Sequence, residues 1–200
     1  MAQLFQKTPA QRKALRLLTG PSRYVLLFGG SRSGKTFILV YAVLVRALRA
    51  AGSRHAILRL HGNSVRQSVL LDTLPKVAKL AFPGLKFKES RQDQFVRLPN
   101  HSEIWFGGVD GEERVDKILG KEFATIYFNE CSEISFDAVN TVLTRLAQRT
   151  PLRNRAYFDC NPSGKSHWSY KLFVEKRDPV SGLALPFPQN YASMQLNPAE

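Results

Sequence analysis

A short apolar run, Tyr24 to Phe28 (YVLLF), passes directly into Gly29-Gly30-Ser31-Arg32-Ser33-Gly34-Lys35-Thr36, and an apolar helical stretch from Lys35 to Ala51 runs out of it. The eight residues fit G-x-x-x-x-G-K-[ST]. A buried strand, a glycine-rich loop and a helix start, in that order, are what a phosphate cradle requires. Glycines let backbone N–H groups turn inward on phosphate oxygens, and the helix N-terminus adds partial positive charge. Lys35 is expected to reach the β- and γ-phosphates and the Thr36 hydroxyl to hold Mg²⁺. The loop residues 29–36 are therefore candidates for binding a nucleoside triphosphate, with ATP and Mg²⁺ as cofactors.

A loop of this kind needs a parallel sheet behind it, and the rest of the chain supplies one. His55 to Leu60, Phe123 to Phe128 and Arg155 to Cys160 are further apolar runs with the length of buried strands. Ser64 to Leu80 has helical periodicity, with Pro75 expected to bend or split it. Phe136 to Ala147 is expected to be a helix capped by Ser135. Phe95 to Leu98 and Glu103 to Phe106 flank Pro99-Asn100-His101-Ser102, a hairpin signal. Strands alternating with helices predict an α/β fold: a P-loop NTPase of the ASCE type, with a mainly parallel central sheet flanked by helices, plus a β-hairpin. Prolines at 179, 186, 188 and 198 mark residues 178–200 as a connector, leaving 1–177 as the domain.

Hydrolysis needs a carboxylate on a second strand. FATIYFNE places Asn129 and Glu130 just past the end of an apolar run, at the sheet edge where open α/β folds bind ligands. Glu130 is the candidate to orient and deprotonate the attacking water, with Glu133 next in line. Asn129 stands where a metal-side Asp is usual, and its amide reaches the metal only through water. Arg32, inside the loop, is a candidate for stabilising charge on the γ-phosphoryl group, and Lys35 shares that catalytic task. Asn161, after RAYFDC, sits beside the γ-phosphate if its strand neighbours the other two; an Asn-Pro turn is the alternative. Cys131 reads as a core residue.

The charge points to a partner. The chain has 29 Lys+Arg against 16 Asp+Glu, a net of +13. Residues 1–100 carry 18 basic and 3 acidic residues, whereas 101–200 carry 11 and 13. Such asymmetry favours a polyanion, most often nucleic acid. At 44% hydrophobic and 200 residues the chain can bury a core unaided. Two cysteines are too few for a disulfide framework, the N-terminus MAQLFQKTPAQRK lacks the apolar core of a signal peptide, and no apolar stretch is long enough for a membrane span.

Together these residues resemble the ATPase domain of the large terminase subunit of tailed bacteriophages. GGSRSGKT, with its internal arginine, and YFNECSEIS resemble the family's two nucleotide motifs. GGVDGEERVDKILGKEF resembles the stretch before the second of these, RAYFDCNPSGKSHW the coupling motif, and LRLHGNSVRQSVL the segment after the second strand. TPAQRKAL resembles the adenine-recognition element, which would put Gln11 on the adenine edge. The resemblance implies an ATP-driven motor that moves double-stranded viral DNA into a capsid in the host cell cytoplasm. Its partners would be the portal and the small terminase subunit. It would assemble as a homo-oligomeric ring, an isolated domain being monomeric, with no membrane involved. Arg114, Lys117 and Lys121 are candidates for a finger acting on a neighbouring subunit. Family members also carry a C-terminal nuclease. After residue 160 only Glu175, Asp178 and Glu200 are acidic, so no nuclease activity is expected of this chain and 178–200 would lead toward such a domain. Two other readings remain at this stage: another nucleic-acid-dependent P-loop ATPase of helicase type, and a DNA-binding module with a vestigial loop.

Overall fold

Four of the apolar runs become the parallel centre of one sheet. The computed structural model describes residues 5–90, 93–110, 118–162 and 164–198. Among them the strands are β1 (Tyr24–Phe28), β2 (Arg54–Arg59), β3 (Lys88–Ser90), β4 (Phe95–Arg97), β5 (Glu103–Gly108), β6 (Thr125–Phe128), β7 (Arg155–Cys160) and β8 (Tyr191–Gln195). Their order across the sheet is β3-β4-β5-β2-β6-β7-β1-β8. Only the pairings β3–β4 and β4–β5 are antiparallel, the latter being the expected hairpin. β7 lies between β1 and β6, in register Leu26↔Phe158 and Phe128↔Phe158. This inserted strand is the mark of the ASCE arrangement anticipated from the motifs.

Both faces of the sheet are covered, which is why its central strands read as unbroken apolar runs. One face packs against α1 (Pro9–Thr19), α2 (Lys35–Arg49) and the helical segment 62–81, around Leu18, Leu39, Val43, Val69 and Tyr127. The other packs against α5 (Phe136–Leu143) and α6 (Trp168–Tyr170), around Phe128, Phe158, Val139 and Trp168. Strand alternation divides neighbours between the layers: Tyr127 and Tyr157 face α2, Phe128 and Phe158 face α5. No helix among the described residues is long and apolar enough to cross a membrane.

Three segments add to or differ from expectation. First, Ser64 to Leu80 is split at Pro75 as expected, but through an unanticipated π-helical turn: α3 (Gly62–Val65) passes through Arg66–Thr73 into α4 (Leu74–Ala81). The wider turn accommodates Pro75, which lies in the first turn of α4 and has no N–H to donate. The Thr73 hydroxyl donates to the Ser68 carbonyl at 2.8 Å. Second, Thr8 and Gln11 form a reciprocal capping box that starts α1, a helix the sequence reading passed over. Third, residues 178–200 are not all connector. Tyr191–Gln195 pairs parallel with β1, and the Leu196 N–H donates to the Phe28 carbonyl at 2.7 Å. Gly29, at φ +151°, has room only for hydrogen, since a Cβ there would fall 2.0 Å from the Leu196 carbonyl oxygen. The strand thus backs the phosphate loop directly.

Arg155 fixes α1 to the sheet. It is buried, and its guanidinium donates to the carbonyls of Leu18, Thr19, Gly20 and Ser22, the terminal acceptors of α1 and the turn that follows. The Tyr157 hydroxyl also donates to Leu18, at 3.1 Å. Removing the guanidinium leaves several carbonyls unpaired at a helix C-terminus, where positive charge is favoured. Arg155→Ala should therefore lose about 2–3 kcal/mol of stability, read as a lower urea midpoint. An unchanged midpoint would show that water satisfies those carbonyls equally well.

Candidate nucleotide site

The site gathers at the carboxyl edge of β1, β7 and β6. Gly29 leaves β1 with its N–H donating to the Cys160 carbonyl at 3.3 Å. The loop enters α2 through Gly34, whose φ of +80° is one a Cβ would strain. Lys35 is buried with Nζ at the loop's centre, donating to the carbonyls of Gly29 (2.9 Å) and Gly30 (2.8 Å) and to Ser33 Oγ (3.2 Å). Burial lowers its pKa, opposed by the negative charge of the Asp159 and Glu130 carboxylates nearby. Ser31 and Arg32 are exposed, Arg32 at a φ of +61°.

β6 delivers its polar pair where expected. Glu130 follows the strand at φ 50°, ψ 51°, a left-handed turn that a non-glycine residue adopts at some cost. Its carboxylate stays 40% exposed and pairs with Arg59 at the end of β2. Arg59 also reaches Glu133, at 3.5 Å. Partial burial raises the Glu130 pKa, with Arg59 pulling it back and Glu133 and Asp159 adding to the rise. Cys131 is buried, as its core reading requires; Cys160 is buried as well, and the two form no disulfide.

Asn129 is only 2% exposed, and its amide nitrogen donates to Asp159 Oδ1 at 3.0 Å and to the Tyr127 hydroxyl at 3.1 Å. Asp159, likewise 2% exposed, accepts on Oδ1 from the Glu130 N–H at 2.8 Å. Its Oδ2 accepts from the Thr36 hydroxyl at 3.2 Å. Burial raises the Asp159 pKa; the Glu130 N–H, the Asn129 amide, the Tyr127 hydroxyl and the Lys35 charge oppose the rise. The sequence reading overlooked Asp159 and Arg59. The signal for Asp159 was available: a carboxylate inside an otherwise apolar strand is costly unless something compensates it.

The other expected site residues are distributed as follows. The Gln11 amide nitrogen lies 3.2 Å from where a side chain at Gly34 would begin, so Gln11 does border the loop, while its amide oxygen is engaged by the Thr8 N–H at 3.1 Å. Asn161 is exposed and follows β7, hence between the ends of β1 and β6. Lys121 stacks its ammonium over Trp105 of its own chain, 4.3 Å from the ring centroid. Arg114 and Lys117 lie outside the described residues, as does Glu200. The Thr36 hydroxyl and a buried Asp159 oxygen, hard oxygen donors 3.2 Å apart, are a donor pair suited to a magnesium ion.

Residues 22–184 match the family model for the phage terminase large subunit. The chain belongs to that family. No curated protein matches the sequence. The fold is similar to the large terminase of a thermophilic bacteriophage, at 18% identity and a TM-score of 0.77 over 96% of this chain and 46% of the other. That protein has also been solved in complex with ADP and with ATP-γ-S. The large terminase ATPase domain of Thermus phage P74-26 is similar at 16% identity and a TM-score of 0.64, over 96% of this chain and 81% of that domain. The HK97 bacteriophage large terminase is similar at 13% identity and a TM-score of 0.66, over 92% and 40%. This chain thus spans just under half of the first of these terminases. At such identities the likeness concerns the fold; the terminase family itself rests on the family match.

Proposed function

We propose that this terminase chain binds ATP with Mg²⁺ and hydrolyses it, and that hydrolysis drives double-stranded DNA into a capsid. The observation that carries the reading is that Lys35, Thr36 and Glu130 lie at one sheet edge around the glycine-rich loop 29–36, with Lys35 within the field of Glu130. Nucleotide complexes of the thermophilic-phage terminase support the choice of ligand. Magnesium, when bound with the nucleotide, neutralises charge on the β- and γ-phosphates. The loop N–H groups and Lys35 orient the phosphates. Glu130 would accept a proton from the attacking water, and Arg32 and Asn161, both exposed, would meet the γ-phosphate. DNA, a portal and a small terminase subunit are the partners this role requires, within the host cell where capsids are filled. Assembly into a ring would bring a neighbour's cations to the mouth.

The test is nucleotide hydrolysis by the chain with and without double-stranded DNA. Turnover raised by DNA supports the motor. Phosphate transfer to another acceptor, or nucleotide binding with no turnover in any assembly, would overturn it.

DNA binding should be independent of sequence and sensitive to salt, because the basic excess of residues 1–100 acts through phosphates. Affinity is expected to fall about tenfold or more between roughly 50 and 200 mM salt. Fluorescence anisotropy on unrelated duplexes measures it. Affinity that ignored salt, or a strong preference for one duplex, would contradict a backbone-driven contact.

A further inference from the structure

We propose that Asp159, on β7, is the carboxylate through which this chain holds the divalent cation of its bound nucleotide, and that Asn129 acts by aiming Asp159. The inference rests on the ATP reading above and names the metal-holding residue of that site. It starts from a charge that is missing in one place and present in another. Asn129, where β6 ends, has an amide and brings no negative charge. One strand over, at the same level, Asp159 brings a full one. The last registered pair of the two strands is Phe128↔Phe158, so the next residues on each, Asn129 and Asp159, sit side by side on the face that carries α2.

The hydrogen bonds assign different jobs to the two oxygens of Asp159. Oδ1 is held from β6 by two donors, the Asn129 amide and the Glu130 N–H. That fixes the plane of the carboxylate. Oδ2 faces the Thr36 hydroxyl at 3.2 Å, on the side of the phosphate loop, and the buried Tyr127 hydroxyl also bonds to the carboxylate. A carboxylate this buried needs positive charge close by. Lys35 is the nearest cation acting on it, but its ammonium is taken up by the loop carbonyls. A small hard cation between Oδ2 and the Thr36 hydroxyl meets that need with oxygen ligands. Glu130 is less suited, because its carboxylate is turned outward into the pair with Arg59.

The first experiment uses the unaltered chain. It is made with carboxyl-¹³C aspartate by cell-free synthesis and loaded with Mn²⁺ and ADP, and ¹³C couplings to the bound Mn²⁺ are read by electron–nuclear double resonance. Asp159 is the aspartate whose carboxylate borders the loop, so a ¹³C coupling is expected; its absence with Mn²⁺–ADP bound overturns the proposal. The second is a Mn²⁺ titration of nucleotide-loaded variants by electron paramagnetic resonance. Asp159→Asn should weaken Mn²⁺ at least about tenfold while nucleotide affinity without metal stays near the parent's. Asn129→Asp combined with Asp159→Asn should recover most of the Mn²⁺ affinity, because the carboxylate returns to the same contact. A folded Asp159→Asn chain with parental Mn²⁺ affinity overturns the proposal. A parent chain that binds no nucleotide overturns both this inference and the ATP reading, whereas nucleotide bound normally without the aspartate coupling overturns this inference alone.

Discussion

Glu130→Gln should bind ATP and metal about as well as the parent and lose most turnover, on the order of 10²–10⁴-fold for removal of a general base. The substitution keeps the volume and hydrogen-bonding reach of the side chain and removes its basicity. The surroundings make the comparison clean. The Glu130 N–H, not its side chain, holds Asp159, so the buried network survives the change. The carboxylate itself is 40% exposed and contacts only the rim through Arg59, so stability should move little. Partial burial, opposed by Arg59, leaves Glu130 a somewhat better base than a free carboxylate. Single-turnover hydrolysis alongside equilibrium binding of an ATP analogue separates the two effects. Near-parental turnover would assign the base elsewhere, and Glu133, which shares Arg59, would be the next residue to change.

How much of this site was legible depends on how local its signal is. The phosphate loop and the four central strands announce themselves within eight residues each, and the hairpin within twelve, because a strand buried on both faces must be apolar throughout. The position of β7 between β1 and β6 could be expected from the motif class, and it brings Asn161 and Glu130 to one edge. What escaped depends on partners distant in sequence. Tyr191–Gln195 (YASMQ) has little apolar pattern and lies among prolines; only its pairing with β1, far upstream, makes it a strand. Arg59 reads as the polar end of a strand until the fold sets it against Glu130. Asp159 is the instructive case. RAYFDC reads as an apolar run, and the one acid within it stands out less than the Asn-Pro that follows. Register with β6 and the start of α2 turn that acid from an anomaly into part of the site. Pro75 marks a break in the helical run, but does not show that the turn before it is π-helical.

Lys35→Ala should remove turnover and weaken nucleotide binding together. Its ammonium is buried at the loop centre, within the field of Asp159 and Glu130. A phosphate ligand would draw it from the carbonyls of Gly29 and Gly30, exchanging two neutral acceptors for charged ones. Contacts to a charged group contribute about 1.5–3 kcal/mol each, so one lost contact predicts an affinity loss of roughly ten- to hundredfold. Turnover should fall further, by at least about 10²–10³, because negative charge on the γ-phosphoryl oxygens and leaving group needs stabilising in the transition state as well. Arg32→Ala is the contrast. Arg32 is exposed on a left-handed turn of the loop, free to meet charge that develops late. It should spare binding and lower turnover, the signature of an interaction made mainly in the transition state. Both variants are read in one pair of measurements, a fluorescent ATP-analogue titration and single-turnover hydrolysis, with thermal melting to confirm that each is folded. Parental nucleotide affinity in Lys35→Ala would remove the lysine from the phosphates. An equal loss of binding in Arg32→Ala and Lys35→Ala would make Arg32 an ordinary phosphate ligand, and the stabilising arginine would then have to come from a neighbouring subunit.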